Sequence, residues 1–193
     1  MKKPYVIKEN HVLQEDNVFR KTIKVLMKYP DKEFSLSDLA KEAGIAKANI
    51  GGVLDKLQEY DYITIEKLSK IWRIRANAAS QNFIGLKIAD NISRIYGSGL
   101  IEFLNDKYQN PKAIVLFGSY RRGEDISSSD IDIAIESDDI KDYQIHLLKE
   151  SRFEKTLCRT IQIHLFNRKK TDLNVFNNIA NGIILSGFLE VRP

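Results

Sequence analysis

Apolar positions recur at helical spacing through the first part of the chain and alternate at strand spacing in much of the second. In residues 15–29, EDNVFRKTIKVLMKY, the residues Phe19, Ile23, Leu26 and Met27 fall on one helix face, which Pro30 and Asp31 bring to an end. The run SLSD, with Ser35 and Asp38 three apart as in a capping box, opens a second helix with Leu36, Leu39, Ala40 and Ala43 on its apolar side. Gly44 is placed to cap its end. A third stripe, Ile50, Val53, Leu54 and Leu57, follows within IAKANIGGVLDKLQEYDY, and Gly51 and Gly52 fall inside it. Two alternating runs, YITIE at 62–66 and IWRIR at 71–75, are joined by polar KLSK and predict a β-hairpin.

Beyond residue 80 the period changes. Ile84, Ile88, Ile92 and Ile95 predict a connecting helix over 81–97, and Leu100, Ile101 and Leu104 start another after Gly97-Ser98-Gly99. KAIVLFG, bounded by turn residues, predicts a buried strand. In SDIDIAI, Ile131, Ile133 and Ile135 alternate with Asp130, Asp132 and Ala134, so the isoleucines enter a core and the aspartates share the opposite face. DYQIHLLKESRFEKTL, residues 142–157, reads as helical, and TIQIHLF, residues 160–166, as a further strand. The expected division is 1–80, a connecting helix at 81–97, and 98–193.

Charge sharpens this division. The net charge of +4 comes entirely from the first 80 residues, which hold 15 Lys/Arg against 11 Asp/Glu, while residues 81–193 hold 15 of each. That bias permits nucleic-acid contact without requiring it. The longest apolar run, Ala113–Phe117, falls far short of the roughly 20 residues that cross a bilayer, so a cytoplasmic protein is expected. The lone cysteine, Cys158, excludes an internal disulfide framework and a cysteine-built zinc site, and is expected to pack in the interior.

The chemistry concentrates in LFGSYRRGEDISSSDIDIAI, residues 116–135. Gly118 at the end of a strand lets the backbone approach a ligand without an intervening Cβ, and the N–H groups that follow suit a phosphate. Ser119 adds a hydroxyl, and Arg121 and Arg122 offer bidentate donors for phosphate oxygens. Asp130 and Asp132, about 7 Å apart along a strand, can converge on a hard divalent cation, for which magnesium is the natural occupant.

The glycine-serine pair, the glycine four residues beyond the serine and the Asp-x-Asp strand resemble the DNA-polymerase-β-like nucleotidyltransferase superfamily, in its minimal nucleotidyltransferase branch. With its flanking elements the resemblance covers residues 98–193, and ANGIILSGFLEV is similar to the terminal helix and hairpin-like tail of that group. It implies that Gly118 and Ser119 hold a nucleoside triphosphate such as ATP, that Asp130 and Asp132 bind Mg2+, and that AMP passes to an acceptor hydroxyl. It also implies a partner, since members of the branch are encoded beside helical HEPN-type toxins that some of them modify.

Residues 14–77 resemble the winged helix-turn-helix family. That implies Lys47 and Asn49 near DNA base edges and Lys67, Lys70, Arg73 and Arg75 on phosphates. Ala46 departs from the usual serine or threonine cap, and a surface for docking or a homodimer is the competing expectation. The fold class expected is α+β: a winged helix domain, then a small nucleotidyltransferase domain with a mixed sheet flanked by helices.

One position departs from the superfamily pattern, which carries a third carboxylate on a later strand. Here TIQIHLF presents Gln162 and His164 on that face, with His164 as a candidate general base. Glu136 and Asp138 are expected beyond the strand end, and Glu150 and Glu154 on a helix surface. The alternative function is therefore a DNA-binding regulator or antitoxin whose nucleotidyltransferase fold binds nucleotide or partner without catalysis.

Overall fold

The computed structural model describes residues 17–68, 71–149 and 151–191. The chain divides into two compact units, residues 1–83 and 84–193. Among the described residues, no helix is long and apolar enough to cross a membrane.

The first unit contains α1 (Asn17–Lys28), α2 (Leu36–Glu42), a 3₁₀ turn (Lys47–Asn49), α3 (Gly51–Glu59) and the antiparallel hairpin β1 (Ile63–Leu68) with β2 (Ile71–Ala76). Phe19, Ile23 and Leu26 of α1 are buried together with Leu39, Ile50, Leu54 and Leu57, so the amphipathic stripes form one core. Ser35 caps α2 by accepting the Asp38 backbone N–H at 3.2 Å, and its hydroxyl donates to Asp38 Oδ2 at 2.7 Å. Phe34 bridges to Ile74, fastening the start of α2 to the hairpin. Gly51 and Gly52, expected inside the third helix, are its first two residues. The chain first makes a separate 3₁₀ turn, and Ala46 and Ile50 supply no side-chain cap to either element.

The helix α4 (Gln81–Gly97) spans the division between the units. The second unit continues with α5 (Leu100–Lys107), β3 (Ala113–Phe117), α6 (Gly118–Arg122), β4 (Ile131–Glu136), β5 (Gln144–Leu147), α7 (Ser151–Leu157), β6 (Ile161–Phe166), α8 (Leu173–Ala180) and β7 (Ile183–Gly187). Its five strands lie in the order β5-β6-β4-β3-β7, with β4 and β6 parallel and the other neighbours antiparallel. Such a mixed sheet with helices fits a nucleotidyltransferase domain.

Both faces of this sheet carry apolar side chains. Ile131, Ile133 and Ile135 join Ile161, Ile163, Leu104, Phe153 and Leu157 in one core. On the opposite face Val115, Ala134 and Phe166 pack with Ile179 of α8 and Leu189. Strands covered on both sides explain the near-continuous apolar run in β3. The only residues of β4 and β6 that are not buried are Asp132 and Gln162, so the second face opens at the beginning of those two strands.

Three sequence expectations change here. Residues 142–157 are not one helix: Gln144–Leu147 pair antiparallel with β6, and only Ser151–Leu157 are helical. Hydrogen bonding to the edge of β6 outweighs a short amphipathic pattern that suits either state. Glu136 is the last residue of β4 and lies within the sheet, opposite Ala113 on β3 and Phe166 on β6. Cys158, expected in the interior, is exposed.

Tyr120 is 1% exposed, and its hydroxyl has no hydrogen-bond partner among the described residues. Burial is the main cause that pushes its pKa up to about 12. Because the folded value lies above the unfolded value of about 10, this group's stabilisation is complete below pH ~10 and is lost as pH rises through that of the folded state. Tyr120→Phe is expected to unfold no more readily than the natural chain at neutral pH and to lose the alkaline destabilisation above pH ~10. Thermal unfolding across that pH range checks this.

Candidate active site

The site is assembled at the end of β3 and the beginnings of β4 and β6. The register puts Phe117, Asp132, Gln162 and Leu147 in one row across four strands, and Val115, Ala134, His164 and Ile145 in the next. Side chains of one row share a face, so the aspartates and the β6 residues Gln162 and His164 meet on the side that carries Ala134 and Phe166.

Gly118 opens α6 in a left-handed conformation, with φ of +72°. A Cβ there would lie 2.2 Å from Asp132 Oδ2. The backbone of the turn is therefore seated against the carboxylate, a contact that only glycine permits. Ser119 follows, half-buried, and its carbonyl accepts the Glu124 N–H at 3.1 Å. Arg121 is half-buried, whereas Arg122 is exposed and paired with Glu124 at 2.6 Å.

Asp130 and Asp132 are half-buried, and among the described residues neither is paired with lysine or arginine. Their partners come from β6. Gln162 Nε2 donates to Asp130 Oδ2 at 2.5 Å, and His164 Nε2 lies 3.3 Å from Asp132 Oδ1. His164 is 6% exposed, stands edge-on to the Phe117 ring at 4.8 Å, and is hydrogen-bonded through Nδ1 to the Tyr143 hydroxyl. Burial first, and then the negative charge of Asp132, raises the Tyr143 pKa, so this phenol stays protonated at neutral pH.

Tyr143 is not visible as a site residue in the sequence, because the segment that carries it reads as helical. The other carboxylates stand apart from the pair. Glu136 is 1% exposed, its Oε1 lies 3.1 Å from Arg168 Nε, and burial raises its pKa against the opposing pull of Arg168 and Lys112. Asp138 is exposed and bonded to Lys112, which holds its pKa below the usual carboxylate value. Glu154 belongs to α7, whose Phe153 and Leu157 pack on the face opposite the aspartates. Glu150 lies outside the described residues. Among the described residues, no group of three or more His, Cys, Asp or Glu side chains is arranged to hold a metal ion.

In the first unit the residues expected on DNA are differently disposed. Lys47 and Asn49 are exposed in the 3₁₀ turn that precedes α3 rather than on the helix itself. The Lys67 ammonium sits 4.3 Å over the Trp72 ring. Arg73 and Arg75 both bind Glu33, at 3.3 Å and 2.8 Å. Lys70 lies outside the described residues. Lys47 and Trp72 line one cleft of about 420 Å³ with Ser35, Ser37 and Gly51.

Residues 99–187 match the family described as polymerase beta, nucleotidyltransferase. The match supports the nucleotidyltransferase superfamily for the second unit and nucleotidyl transfer as its general chemistry. A search of curated proteins finds no match.

Gly118→Ala is expected to cost about 1–2 kcal/mol for the left-handed backbone alone and to push the Asp132 carboxylate from its place. A lowered urea midpoint checks this, and an unchanged midpoint would contradict the placement.

Proposed function

We propose that the second unit is a magnesium-dependent nucleotidyltransferase that moves a nucleoside monophosphate, AMP from ATP, onto an acceptor hydroxyl. The observation that carries this reading is the seat of the Gly118 backbone against Asp132, beside Asp130. It brings a turn suited to phosphate and a pair of carboxylates into contact.

The donor set fits a divalent cation. Two carboxylates that have no lysine or arginine partner among the described residues would supply hard oxygen ligands, with triphosphate oxygens and water as the other ligands. That suits magnesium arriving with a nucleotide rather than in a closed protein cage. Asp130 and Asp132 would hold it, and when bound it supplies positive charge against the triphosphate and the departing pyrophosphate.

The protein's own groups divide the remaining work. Gly118, Ser119 and Arg121 orient the phosphates on the β3 side, and Gln162 fixes Asp130 through its donated hydrogen bond. The acceptor approaches from the β6 side. Its hydroxyl oxygen attacks the α-phosphorus, the bond to the β,γ-pyrophosphate breaks, and pyrophosphate leaves with the electron pair. His164 Nε2 is the candidate acceptor of the hydroxyl proton in the tautomer whose Nδ1–H donates to the Tyr143 oxygen; in the other tautomer Nε2–H donates to Asp132 Oδ1 and the proton passes to water.

Incubation with α-labelled ATP and magnesium, with the product of a neighbouring gene as acceptor, tests the reading. Asp130→Ala/Asp132→Ala is expected to reduce transfer by roughly 10³-fold or more, and Gln162→Glu to tighten magnesium binding by adding a third carboxylate beside Asp130. Absence of label on any acceptor, with ATP still bound, would instead support a non-catalytic sensor. The N–H of Gln162 on Asp130, where a carboxylate would otherwise stand, favours that second reading.

In either case the three helices and hairpin of the first unit are read as a DNA-contacting or docking module, with Lys47 and Asn49 as its exposed polar positions. Affinity for the DNA upstream of its own gene is expected to fall steeply with added salt. Gel-shift titrations at several salt concentrations check this, and binding indifferent to salt would exclude phosphate contacts. A HEPN-type toxin as the acceptor and a homodimer belong to this proposal as partners.

A further inference from the structure

The loop between α6 and β4 contains a charge that the chemistry above does not use. Asp125 is 1% exposed, and the groups around it are buried too: Lys87 is 1%, Asn91 3% and Arg159 8% exposed. Lys87 Nζ lies 3.0 Å from Asp125 Oδ1 and also donates to the Asp125 carbonyl. Asn91 Nδ2 donates to Asp125 Oδ1 and to the Tyr120 carbonyl, both at 2.9 Å. Arg159 Nη2 lies 3.7 Å from Asp125 Oδ2, and its Nη1 donates to the Cys158 carbonyl at 3.0 Å.

These bonds join the segments that carry the site. Lys87 and Asn91, one turn apart on α4, grip both α6, through Tyr120, and the loop that leads to Asp130. Between these anchors Gly123 presses on the same helix, since a Cβ there would lie 2.9 Å from the Ile84 carbonyl. Arg159 extends the network to the start of β6, where the adjacent Thr160 carbonyl accepts the Ile131 N–H at 2.9 Å. An apolar contact of similar volume stabilises a fold as well as a buried ion pair does. What the ionic network adds is direction: short bonds of fixed geometry between α4 and two chain segments that end in Gly118-Ser119 and in Asp130.

We propose that Asp125, held by Lys87, Asn91 and Arg159, is the positioning residue of the nucleotide site and sets the phosphate turn against the aspartate pair. This rests on the nucleotidyltransferase reading. Asp125 is buried and acts through the loop it anchors.

Lys87→Met/Asp125→Asn removes both charges with little change of shape, and Arg159 keeps its bond to the Cys158 carbonyl while losing the Asp125 charge. Asn91→Leu removes both amide donors at similar volume. Each is expected to weaken ATP–magnesium binding at least tenfold through KM, with a smaller change in kcat. In the absence of nucleotide, hydrogen exchange should accelerate in residues 118–130 and stay unchanged in β3 and β6. Unchanged ATP affinity and exchange, or ATP binding that falls only in step with the folded fraction, would overturn the role. Asp130→Ala/Asp132→Ala, run alongside, separates the two claims: full transfer by that variant defeats the nucleotidyltransferase reading, whereas the exchange measurement judges the network by itself.

Discussion

The close approach of a backbone to a carboxylate is the constraint on which the second unit's site depends. Gly118 can take its left-handed conformation against Asp132 only because it lacks a side chain. Everything nearby follows from keeping that approach. The strand before it must be buried on both faces to hold its position, and the next strand must return antiparallel so that Phe117 stands opposite Asp132. The loop between them is bolted to α4 through Asp125. The Gly118 turn and two carboxylates thus meet without either being placed by its own local conformation alone.

The two aspartates are stabilised without being neutralised. Gln162 donates a hydrogen bond to one and His164 stands beside the other, so both keep acceptor capacity on the open side. A lysine or arginine in those places would compete with a cation, whereas an amide or imidazole does so far less. Charged partners are used elsewhere: Asp125 is locked within a buried network, Glu136 is paired with Arg168, and Arg73 and Arg75 are drawn onto Glu33. In the first unit this last pairing leaves the positive side chains of the hairpin less available to phosphates than their count suggests.

Features with a short period along the chain are legible in the sequence. The stripes of Phe19, Ile23 and Leu26 and of Val53, Leu54 and Leu57 form helices, with Ile50 directly before the second, and Ser35 caps α2 as its spacing from Asp38 implies. The alternation in SDIDIAI separates isoleucines from aspartates onto opposite faces. Where the local pattern is compatible with two states, tertiary contacts decide, as at Gln144–Leu147, which pair with β6 instead of continuing a helix.

The order of residues along the chain is enough to mark out which of them can serve as phosphate turn and acidic pair, because glycine, serine and Asp-x-Asp act through local geometry. What stands around them is a property of the folded arrangement. Gln162 and Asp130 are 32 residues apart, Lys87 and Asp125 are 38, and Arg75 and Glu33 are 42. No periodicity records contacts of that span. They arise when strands pair in one register and helices pack on them, and that same packing brings Tyr143 to His164 and Asp125 into the interior.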